Sequence, residues 1–514
     1  MRPDTIGVVG AGTMGAGIAQ LGAAAGMRTL LHDPVEEALE RGSFAVRRGL
    51  AKWVEKGRAS ADAAGRLEPV AALEELAPCE LVIEAAPERA DLKRSLFERL
   101  SGIVGADAVL ATNTSSIPVT SLAGAAARPE NVVGMHFFNP PPLMRLLELI
   151  RADQTGERAF EMARATGEAM GKEVIVAADG PGFLVNRCAR PFGGEALRLL
   201  QERVAGHEQI DRICRLGGGF PMGPFELMDL GGIDVGFEVA KSFAELSFGE
   251  PRWRPSPLQA RMVAARRLGR KTGRGWYEYP EDGSYRDPDP APPSPGRAGD
   301  GRLVAVLGDG PLADSLREHA RDAGFELREG APAELVVDAG VEPHPSPPGG
   351  APLLSLCARQ SLAARGEPGA VGFHLLPPLG ATALVELTRL PTTPSFAAEA
   401  AETFFAALGF TCERVDDAPG LVLGRIAAQL INEAAFAIGE GVGSADDIDT
   451  GLELGLSHPR GPVAWSEAIG LTHVLAILDG LWEERREERY RPAPLLRRQA
   501  TLGRNLRESW PPPT

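Results

Sequence analysis

Short apolar runs alternate with amphipathic stretches over positions 1–180 of the chain. The apolar runs, such as residues 5–9 and 108–112, predict buried strands, and the stretches between them predict helices. Alternating strands and helices are typical of a parallel sheet covered on both faces. Over residues 183–270 the pattern becomes mainly helical. We therefore predict an α/β domain over residues 1–178 and an all-α domain over residues 179–285.

The stretch 35–68 is rich in charged residues and predicts a helical region. Its lysines and arginines could meet ligand phosphates, but a solvated helix face is the simpler interpretation. The next apolar run, residues 80–86, predicts a strand.

A glycine-rich turn links the first predicted strand to the first predicted helix. Gly10 permits a tight turn, Gly12 lets the backbone approach a pyrophosphate, and Gly15 lets helix and strand pack closely. Asp33 follows the second strand, at the spacing after Gly15 where an acid binds a ribose 2′-hydroxyl and repels a 2′-phosphate. This context predicts a Rossmann domain that binds NAD rather than NADP. The alternative is a glycine-rich turn without a ligand.

Polar residues recur at the ends of the predicted strands. Gly10, Asp33, Glu88, Ser115 and His136 all lie at or near such ends. In an open parallel sheet, ligands bind at the carboxyl ends of the strands. Ser115 alone would be interpreted as a turn cap, but the shared placement predicts that these residues surround one site.

His136 stands between an apolar strand and a turn stiffened by three prolines, residues 140–142. A histidine there suits a general base, because histidine side chains in general change charge near neutral pH; a buried histidine bonded to a carbonyl is the alternative. Glu148 is a lone carboxylate in an apolar run, and carboxylates are seldom buried unpaired. Either Glu148 is buried and pairs with a histidine, or it reaches solvent from an edge.

The loop that begins at Asp179 marks the boundary between the α/β pattern and the helical pattern. Asn186 is predicted to lie about one turn into the first helix after this loop. Its amide could bond a substrate oxygen or could merely tie two helices together. Both interpretations stay open.

The second half of the sequence echoes the first at a constant displacement, the one that separates Asp179 from Asp417. At this displacement His136 corresponds to His374 and Glu148 to Glu386. A gap of two positions brings Ser115 into correspondence with Ser355. Agreement at this many positions predicts a tandem copy of the first half.

The copy is incomplete as a dinucleotide site. Gly308, Gly310 and Ala313 replace the three glycines of the turn, Asp33 has no counterpart, and Gly424 replaces Asn186. We predict a degenerate and truncated repeat. Its parts are a linker over residues 286–301, a truncated Rossmann-like domain without a full NAD site over 302–415, and a second helical domain over 416–514. Retention of Ser355, His374 and Glu386 argues mildly against a purely structural copy.

The composition of the chain argues against several classes of binding partner, namely nucleic acids, metal ions and membranes. The net charge of the 514 residues is −15, and no basic run resembles a nucleic-acid site. The five cysteines are scattered without metal-ligand or disulfide spacing, which favours a reducing, cytoplasmic location and no metal site. No apolar run reaches the length of a membrane span, and no signal peptide is expected.

Several of these stretches together resemble the 3-hydroxyacyl-CoA dehydrogenase family, particularly the bacterial 3-hydroxybutyryl-CoA and 3-hydroxyadipyl-CoA types. The matching stretches are residues 10–17, 113–116, 136–140, 181–187 and 221–224. They span most of residues 1–285, and the tandem second half resembles the extended members of the family. Pro141 departs from the family pattern, which more often has a small aliphatic residue there.

The resemblance implies an (S)-3-hydroxyacyl-CoA thioester as substrate. His136 would take the proton of the 3-hydroxyl while hydride passes to NAD, and Glu148 would hold and polarise His136. Ser115 and Asn186 would bond the substrate oxygens. Four further residues would contact the cofactor or its surroundings: Asp33, Glu88, Lys93 and Asn113.

The resemblance also leaves alternatives. Relatives dimerise through their helical domains, so the chain forms either an intrachain pseudo-dimer of helical domains or a homodimer. A dehydrogenase of a free hydroxy or sugar acid is one alternative function. A non-catalytic, crystallin-like NAD-binding protein is another, and the presence of Ser115, His136, Glu148 and Asn186 argues against it.

Overall fold

The computed structural model describes residues 2–281, 284–294, 299–328, 332–344, 350–381 and 383–508. The chain divides into two compact units, Met1–Arg187 with Gly441–Leu456 and Cys188–Glu440 with Ser457–Thr514. Each unit contains one sheet. Residues 295–298 of the predicted linker, and residues 509–514 of the predicted second helical domain, lie outside the described residues.

The first unit is built on an eight-stranded sheet in the order β3-β2-β1-β4-β5-β6-β7-β8. All neighbouring strands are parallel except β6 and β7. The strand order reverses beside β1, which is where doubly wound sheets open a ligand crevice. The strands are β1 (Thr5–Val9), β2 (Arg28–His32), β3 (Leu67–Val70), β4 (Leu81–Glu84), β5 (Val109–Thr112), β6 (Val132–Phe137), β7 (Leu146–Arg151) and β8 (Glu173–Ala178).

Five helices connect these strands. Most of the first helix is buried, because its small residues let it pack closely on the sheet. Apolar residues of the strands and of the flanking helices form one core cluster. The helices are α1 (Thr13–Ala24), α2 (Glu36–Glu55), α3 (Ala90–Ile103), α4 (Val119–Ala123) and α5 (Glu157–Ala169).

The helical region predicted over residues 35–68 is wrong at its end. After α2 the chain forms a short 3-10 turn, Ala63–Arg66, and then enters strand β3. Because β3 is an edge strand, Pro69 is tolerated within it. The four residues of β3 include Glu68 and Pro69, so they show only a weak strand pattern. The sequence therefore does not distinguish β3 from the charged stretch before it.

The second unit is built on a seven-stranded sheet in the order β10-β9-β11-β12-β13-β14-β15, in which only β13 and β14 are antiparallel. The helices before this sheet are α6 (Val185–Glu202, which begins in the first unit), α7 (His207–Arg212), α8 (Pro224–Gly231), α9 (Ile233–Leu246) and α10 (Pro257–Ala264). The strands are β9 (Leu303–Leu307), β10 (Glu326–Leu327), β11 (Leu335–Asp338), β12 (Leu353–Leu356), β13 (Val371–His374), β14 (Leu384–Arg389) and β15 (Thr411–Arg414). The remaining helices are α11 (Pro311–Asp322), α12 (Leu362–Arg365), α13 (Ser395–Ala407), α14 (Leu423–Gly439), α15 (Ala445–Leu456, part of the first unit), α16 (Pro462–Ile469), α17 (Leu471–Arg485) and α18 (Pro494–Leu502).

Each sheet receives a helix from the other half of the sequence. In the first unit α15 packs on β7 and β8, and the Ala178 N–H donates to the Val442 carbonyl at 2.8 Å just before this helix. In the second unit the π-helical turn Ile213–Gly217 packs on β14, where the Ala383 N–H donates to the Leu216 carbonyl at 2.9 Å. Residues far apart in sequence therefore complete each layer of packing.

Candidate active site

The glycine-rich turn has the backbone shape that the sequence predicts. Gly10 has a φ of +103°, and a Cβ there would lie 2.6 Å from the Ala85 carbonyl oxygen. A Cβ on Gly15 would lie 1.7 Å from the Gly10 carbonyl oxygen, whereas a Cβ on Gly12 would meet nothing within 4 Å. Gly12 is also the N-cap of α1 and supplies no side-chain cap. The first N–H groups of α1 therefore face an open approach for an anion.

Asp33 lies directly after β2 and joins it to the glycine-rich turn. Its carboxylate accepts hydrogen bonds from the Ala11 N–H at 2.8 Å and the Val35 N–H at 3.0 Å. An acid at the end of the second strand, beside an open helix N-terminus, suits a dinucleotide with a free ribose 2′-hydroxyl. These residues fit NAD, with Gly12 and the start of α1 toward the pyrophosphate and Asp33 toward the ribose.

Glu88 organises the loop that follows β5. Its Oε1 accepts hydrogen bonds from the Thr114 hydroxyl at 2.6 Å, the Ser115 N–H at 3.0 Å and the Ser116 hydroxyl at 3.0 Å. Burial by itself would raise the pKa of Glu88, but Lys93 and these hydrogen bonds outweigh burial and lower it. Glu88 is therefore ionised near neutral pH and fixes the backbone of Ser115.

Lys93 is buried and paired with carboxylates. Its Nζ lies 2.8 Å from Glu84 Oε1 and 3.2 Å from Glu88 Oε2, and only 1% of the residue is exposed. The Thr112 hydroxyl also donates to Glu84, at 2.7 Å. Glu84 is not among the residues predicted from the sequence, although a lone carboxylate in an apolar strand is the same signal that indicates Glu148. A cofactor contact of Lys93 stays a prediction.

Asn113 and Lys172 hold the segments on either side of His136. The Asn113 Oδ1 accepts a hydrogen bond from the Phe137 N–H at 2.8 Å, which ties the end of β5 to β6. Lys172 donates to the carbonyls of Pro141 at 2.5 Å and Met144 at 2.6 Å, and burial lowers the pKa of its ammonium to about 8. Lys172 is not among the residues predicted from the sequence, because the backbone carbonyls that it binds leave no pattern of residue types.

His136 and Glu148 are brought together by the antiparallel register of β6 and β7. The two residues are cross-strand partners, and His136 Nδ1 lies 2.9 Å from Glu148 Oε2. Glu148 is fully buried, and its other oxygen accepts the N–H groups of Leu184 at 2.7 Å and Val185 at 3.0 Å. The alternative in which Glu148 reaches solvent is wrong.

The second ring nitrogen of His136 is available for chemistry. Nε2 has no hydrogen-bond partner among the described residues, and the residue retains 7% exposure. The rings of Phe138 and Phe183 lie 4.7 Å and 6.1 Å from the imidazole, centre to centre. The imidazole is thus oriented from Nδ1, flanked by aromatic rings, and accessible from Nε2.

Asn186 lies nearer the start of its helix than predicted. Helix α6 begins at Val185, so Asn186 is its second residue rather than one turn inside. The N–H of the preceding residue, Val185, donates to Glu148. Asn186 is therefore next in sequence to a residue that binds the partner of His136. Ser115 follows β5, which is parallel to β6 and adjacent to it. Both residues therefore belong to segments that border His136.

Helix α15 supports this site from the second half of the sequence. A Cβ on Gly455 would lie 2.8 Å from Leu146 Cδ2 and 3.2 Å from Phe138 Cε1. A Cβ on Gly451 would lie 2.8 Å from Val185 Cγ2. The absence of side chains at these two positions lets α15 pack directly beneath the strand that carries Glu148. No sequence pattern predicted this placement.

Among the described residues, no group of three or more histidine, cysteine, aspartate or glutamate side chains is arranged to hold a metal ion. No helix in the described part of the chain is long and apolar enough to cross a membrane. All five cysteines are free thiols.

A doubly wound sheet, a glycine-rich turn fitted to NAD and an oriented histidine define an NAD-dependent dehydrogenase of the Rossmann class. Family models agree with this class. The model described as the NAD-binding domain of 3-hydroxyacyl-CoA dehydrogenase matches residues 5–180, and the model of the C-terminal domain matches residues 182–279 and 420–510. The chain belongs to the 3-hydroxyacyl-CoA dehydrogenase family. Its cofactor is NAD, and it oxidises 3-hydroxyacyl-CoA to 3-oxoacyl-CoA.

Individual relatives support the same family. The chain is 35% identical over 507 residues to 3-hydroxyadipyl-CoA dehydrogenase of Escherichia coli K12, covering 97% of this chain and 98% of that protein. It is 42% identical over 276 residues to a probable 3-hydroxybutyryl-CoA dehydrogenase of Deinococcus radiodurans, covering 53% of this chain and 99% of that one. The crystal structure of 3-hydroxybutyryl-CoA dehydrogenase from Escherichia coli K12 matches with a TM-score of 0.81 and 34% identity, covering 98% of this chain and 99% of that one.

Proposed function

We propose that His136 is the general base in the oxidation of an (S)-3-hydroxyacyl-CoA thioester. One observation carries the proposal: Nδ1 is bonded to the fully buried Glu148, while Nε2 has no partner in the described structure. A carboxylate at Nδ1 fixes the tautomer, so that the unprotonated Nε2 can accept a proton. The two N–H groups that bind Glu148 hold the carboxylate in position.

The oxidation removes a proton from the 3-hydroxyl of the substrate and a hydride from its C3. Bound NAD would supply the acceptor for this hydride. His136 takes the proton of the 3-hydroxyl at Nε2, and the 3-oxo group forms as the C–H bond breaks. Glu148 stabilises the imidazolium that results. The proton then passes from His136 to solvent, which restores the base.

Ser115 and Asn186 are proposed to bond the substrate oxygens. For Ser115 this role is supported by Glu88, which fixes the Ser115 backbone. For Asn186 it is supported by the preceding residue, Val185, whose N–H donates to Glu148. Asn113, directly after β5, and Lys93, on α3, are proposed to support the cofactor side of the site. Hydrogen bonds to the 3-oxygen, which gains negative charge as its proton leaves, would favour the transition state over the ground state.

The second half is proposed to be a degenerate copy that completes the first as an intrachain pseudo-dimer. The strand order of the second sheet matches that of the first with one strand fewer, and each sheet receives a helix from the other half of the sequence. Under this proposal the domains are those predicted from the sequence, with boundaries at residues 178, 285, 301 and 415. A mass measurement in solution should then give the 54.4 kDa of a single chain. A stable dimer of chains would favour the homodimer instead.

The function is tested by following NADH formation with 3-hydroxybutyryl-CoA, its free acid and a sugar acid. We expect turnover with the thioester and with NAD, and little with the free acids or with NADP. Efficient turnover of a free acid would instead identify a hydroxy-acid dehydrogenase. A panel of thioesters of increasing length, with and without a terminal carboxylate, would then define the acyl group. The carboxylated member is included because one relative is named for 3-hydroxyadipyl-CoA.

A further inference from the structure

A cavity of about 530 Å³ lies in the second unit, and all the residues that line it belong to that unit. It is bounded by the end of β14, the residues after β15, the start of α13 and the segment between α6 and α7. Its volume falls within the range of small-molecule sites, about 300–1,000 Å³. None of the residues given a role in the dehydrogenase reaction lines it.

The first cause of the cavity is a missing aromatic ring. At the displacement that relates His136 to His374, Ala398 of the second unit corresponds to Phe160 of the first. Phe160 is 1% exposed, and the Arg151 guanidinium lies 3.8 Å from the centre of its ring. Arg389 corresponds to Arg151, and both Arg389 and Ala398 line the cavity. The second unit therefore has an arginine, Arg389, at the position of Arg151, but it has no aromatic ring at the position of Phe160.

The second cause is an early end to the strand ladder. In the first unit β7 and β8 remain paired as far as Arg151 and Ala178. In the second unit the pairing of β14 with β15 stops at Leu387 and Arg414. The Val415 N–H still donates to the Leu387 carbonyl at 2.9 Å, but in the described structure Arg389 and Asp416 are not paired as Arg151 and Ala178 are. The residues at this end of the ladder all line the cavity: Thr388, Arg389, Val415 and Asp416.

The charges at the cavity favour an anion. Arg203 and Arg389 line it, and neither has an ion pair in the described part of the chain. Arg414 is already engaged, because its Nε donates to Glu402 at 2.9 Å. Asp416 is the one lining carboxylate for which the described residues supply no ion pair. Among the described residues, the cavity lining therefore has more unpaired cations than unpaired anions. Its apolar part includes Val371, Leu387 and Ala398.

We propose that this cavity binds a small carboxylate with an aromatic or branched hydrocarbon body. The hydrocarbon body would take the place that Phe160 fills in the first unit, over Ala398. The carboxylate would pair with Arg389 and Arg203, since guanidinium groups bind carboxylates through paired hydrogen bonds. Binding at this site involves no chemical step and is separate from the dehydrogenase site.

Titration calorimetry of the full chain with sodium benzoate tests the proposal. A ligand of this size is expected to bind with a Kd on the order of 1 mM. Ala398→Phe restores the residue of the first unit and should weaken binding at least about tenfold by filling the cavity. Arg389→Met removes one cation and should weaken binding by about tenfold. Arg321→Ala, an exposed arginine of the same unit outside the cavity, is the matched control and should not change the Kd.

Neutral benzamide and inorganic phosphate separate the two parts of the proposed ligand. Both should bind more weakly than benzoate, because one lacks the charge and the other lacks the hydrocarbon body. All three variants should oxidise 3-hydroxybutyryl-CoA at the wild-type rate. The proposal is overturned if benzoate does not bind, if phosphate or benzamide binds as well, or if Arg389→Met leaves the Kd unchanged. If Ala398→Phe does not fold, the arginine variant alone decides.

Discussion

The two histidine–glutamate pairs of this chain have the same register and different environments. His136 and Glu148 face each other across β6 and β7, and His374 and Glu386 face each other across β13 and β14. In the first pair Nδ1 of the imidazole bonds the carboxylate, and Nε2 has no hydrogen-bond partner among the residues that the structure describes. In the second pair Nδ1 of His374 is buried without a hydrogen-bond partner in the described structure, and Nε2 lies 3.2 Å from Nε2 of His473.

Burial also makes the charge states of the second pair differ from those that a general base requires. His374 is fully buried, which lowers its pKa well below the usual value, and burial raises the pKa of Glu386 to about 8. Both groups are therefore uncharged near neutral pH. A Cβ on Gly424, the counterpart of Asn186, would lie 2.3 Å from His374 Cε1, so a larger side chain has no space there. A histidine and a glutamate at corresponding positions are therefore not enough for a general base. The histidine also needs a ring nitrogen that is oriented and accessible.

The largest expected contrast is between His136→Gln and His374→Gln. Loss of His136, the proposed base, should lower kcat by about 10³-fold, within the range for general base catalysis. The His374 variant should keep kcat within about twofold of wild type, since the His374 ring is fully buried. Steady-state NADH formation with 3-hydroxybutyryl-CoA measures both, and NADH fluorescence checks that the cofactor still binds. Equal losses in the two variants would contradict the distinction.

Glu148→Gln should have the next largest effect. The amide can still accept the Leu184 and Val185 N–H groups, but it cannot stabilise a charged His136, so kcat should fall by about 10²-fold with a smaller change in KM. Glu386→Gln is the matched control and should leave kcat unchanged. A Glu148→Gln enzyme with wild-type kcat would show that the carboxylate does not act through His136.

Gly455→Ala tests whether α15 positions the first site from the second half. The added methyl group meets Leu146 and Phe138, and Phe138 contacts His136. We expect a loss of about 1–3 kcal/mol in stability from overpacking and a several-fold fall in kcat with an altered pH profile. Gly217→Ala, whose methyl group would lie 3.2 Å from Leu423 Cδ2, should lower stability less and spare kcat. Unaltered kcat and pH profile in Gly455→Ala would contradict a positioning role.

The smallest effect is a difference in the pH dependence of stability. Between the ordinary carboxyl pKa of 4.5 and about 8, the folded state keeps the proton on Glu386 while the unfolded chain releases it. Stability should therefore fall as pH rises through this window. Glu386→Gln should lose a few degrees less in Tm than wild type between these limits, as measured by differential scanning fluorimetry. Glu399→Gln, an exposed carboxyl of the same unit, should behave as wild type.

Local patterns predicted most of the first unit. The glycine-rich turn, Asp33 and the strands that end near Ser115 and His136 depend on residues close in sequence, whose backbone requirements are specific. The edge strand β3 was missed because four residues that include a proline carry little pattern. Glu84, the partner of Lys93, was also missed, although its position in an apolar strand carried a usable signal.

By itself the sequence determined the order of elements, the NAD fingerprint and the candidacy of His136 and Glu148. Each follows from backbone geometry or from the rarity of an unpaired carboxylate in an apolar run. Only the tertiary structure decided that His136 bonds Glu148 while His374 does not bond Glu386, since that depends on ring orientation and on neighbours such as His473 and Gly424. The placement of α15 was likewise decided by packing, because contacts between residues about 300 positions apart leave no local pattern to recognise.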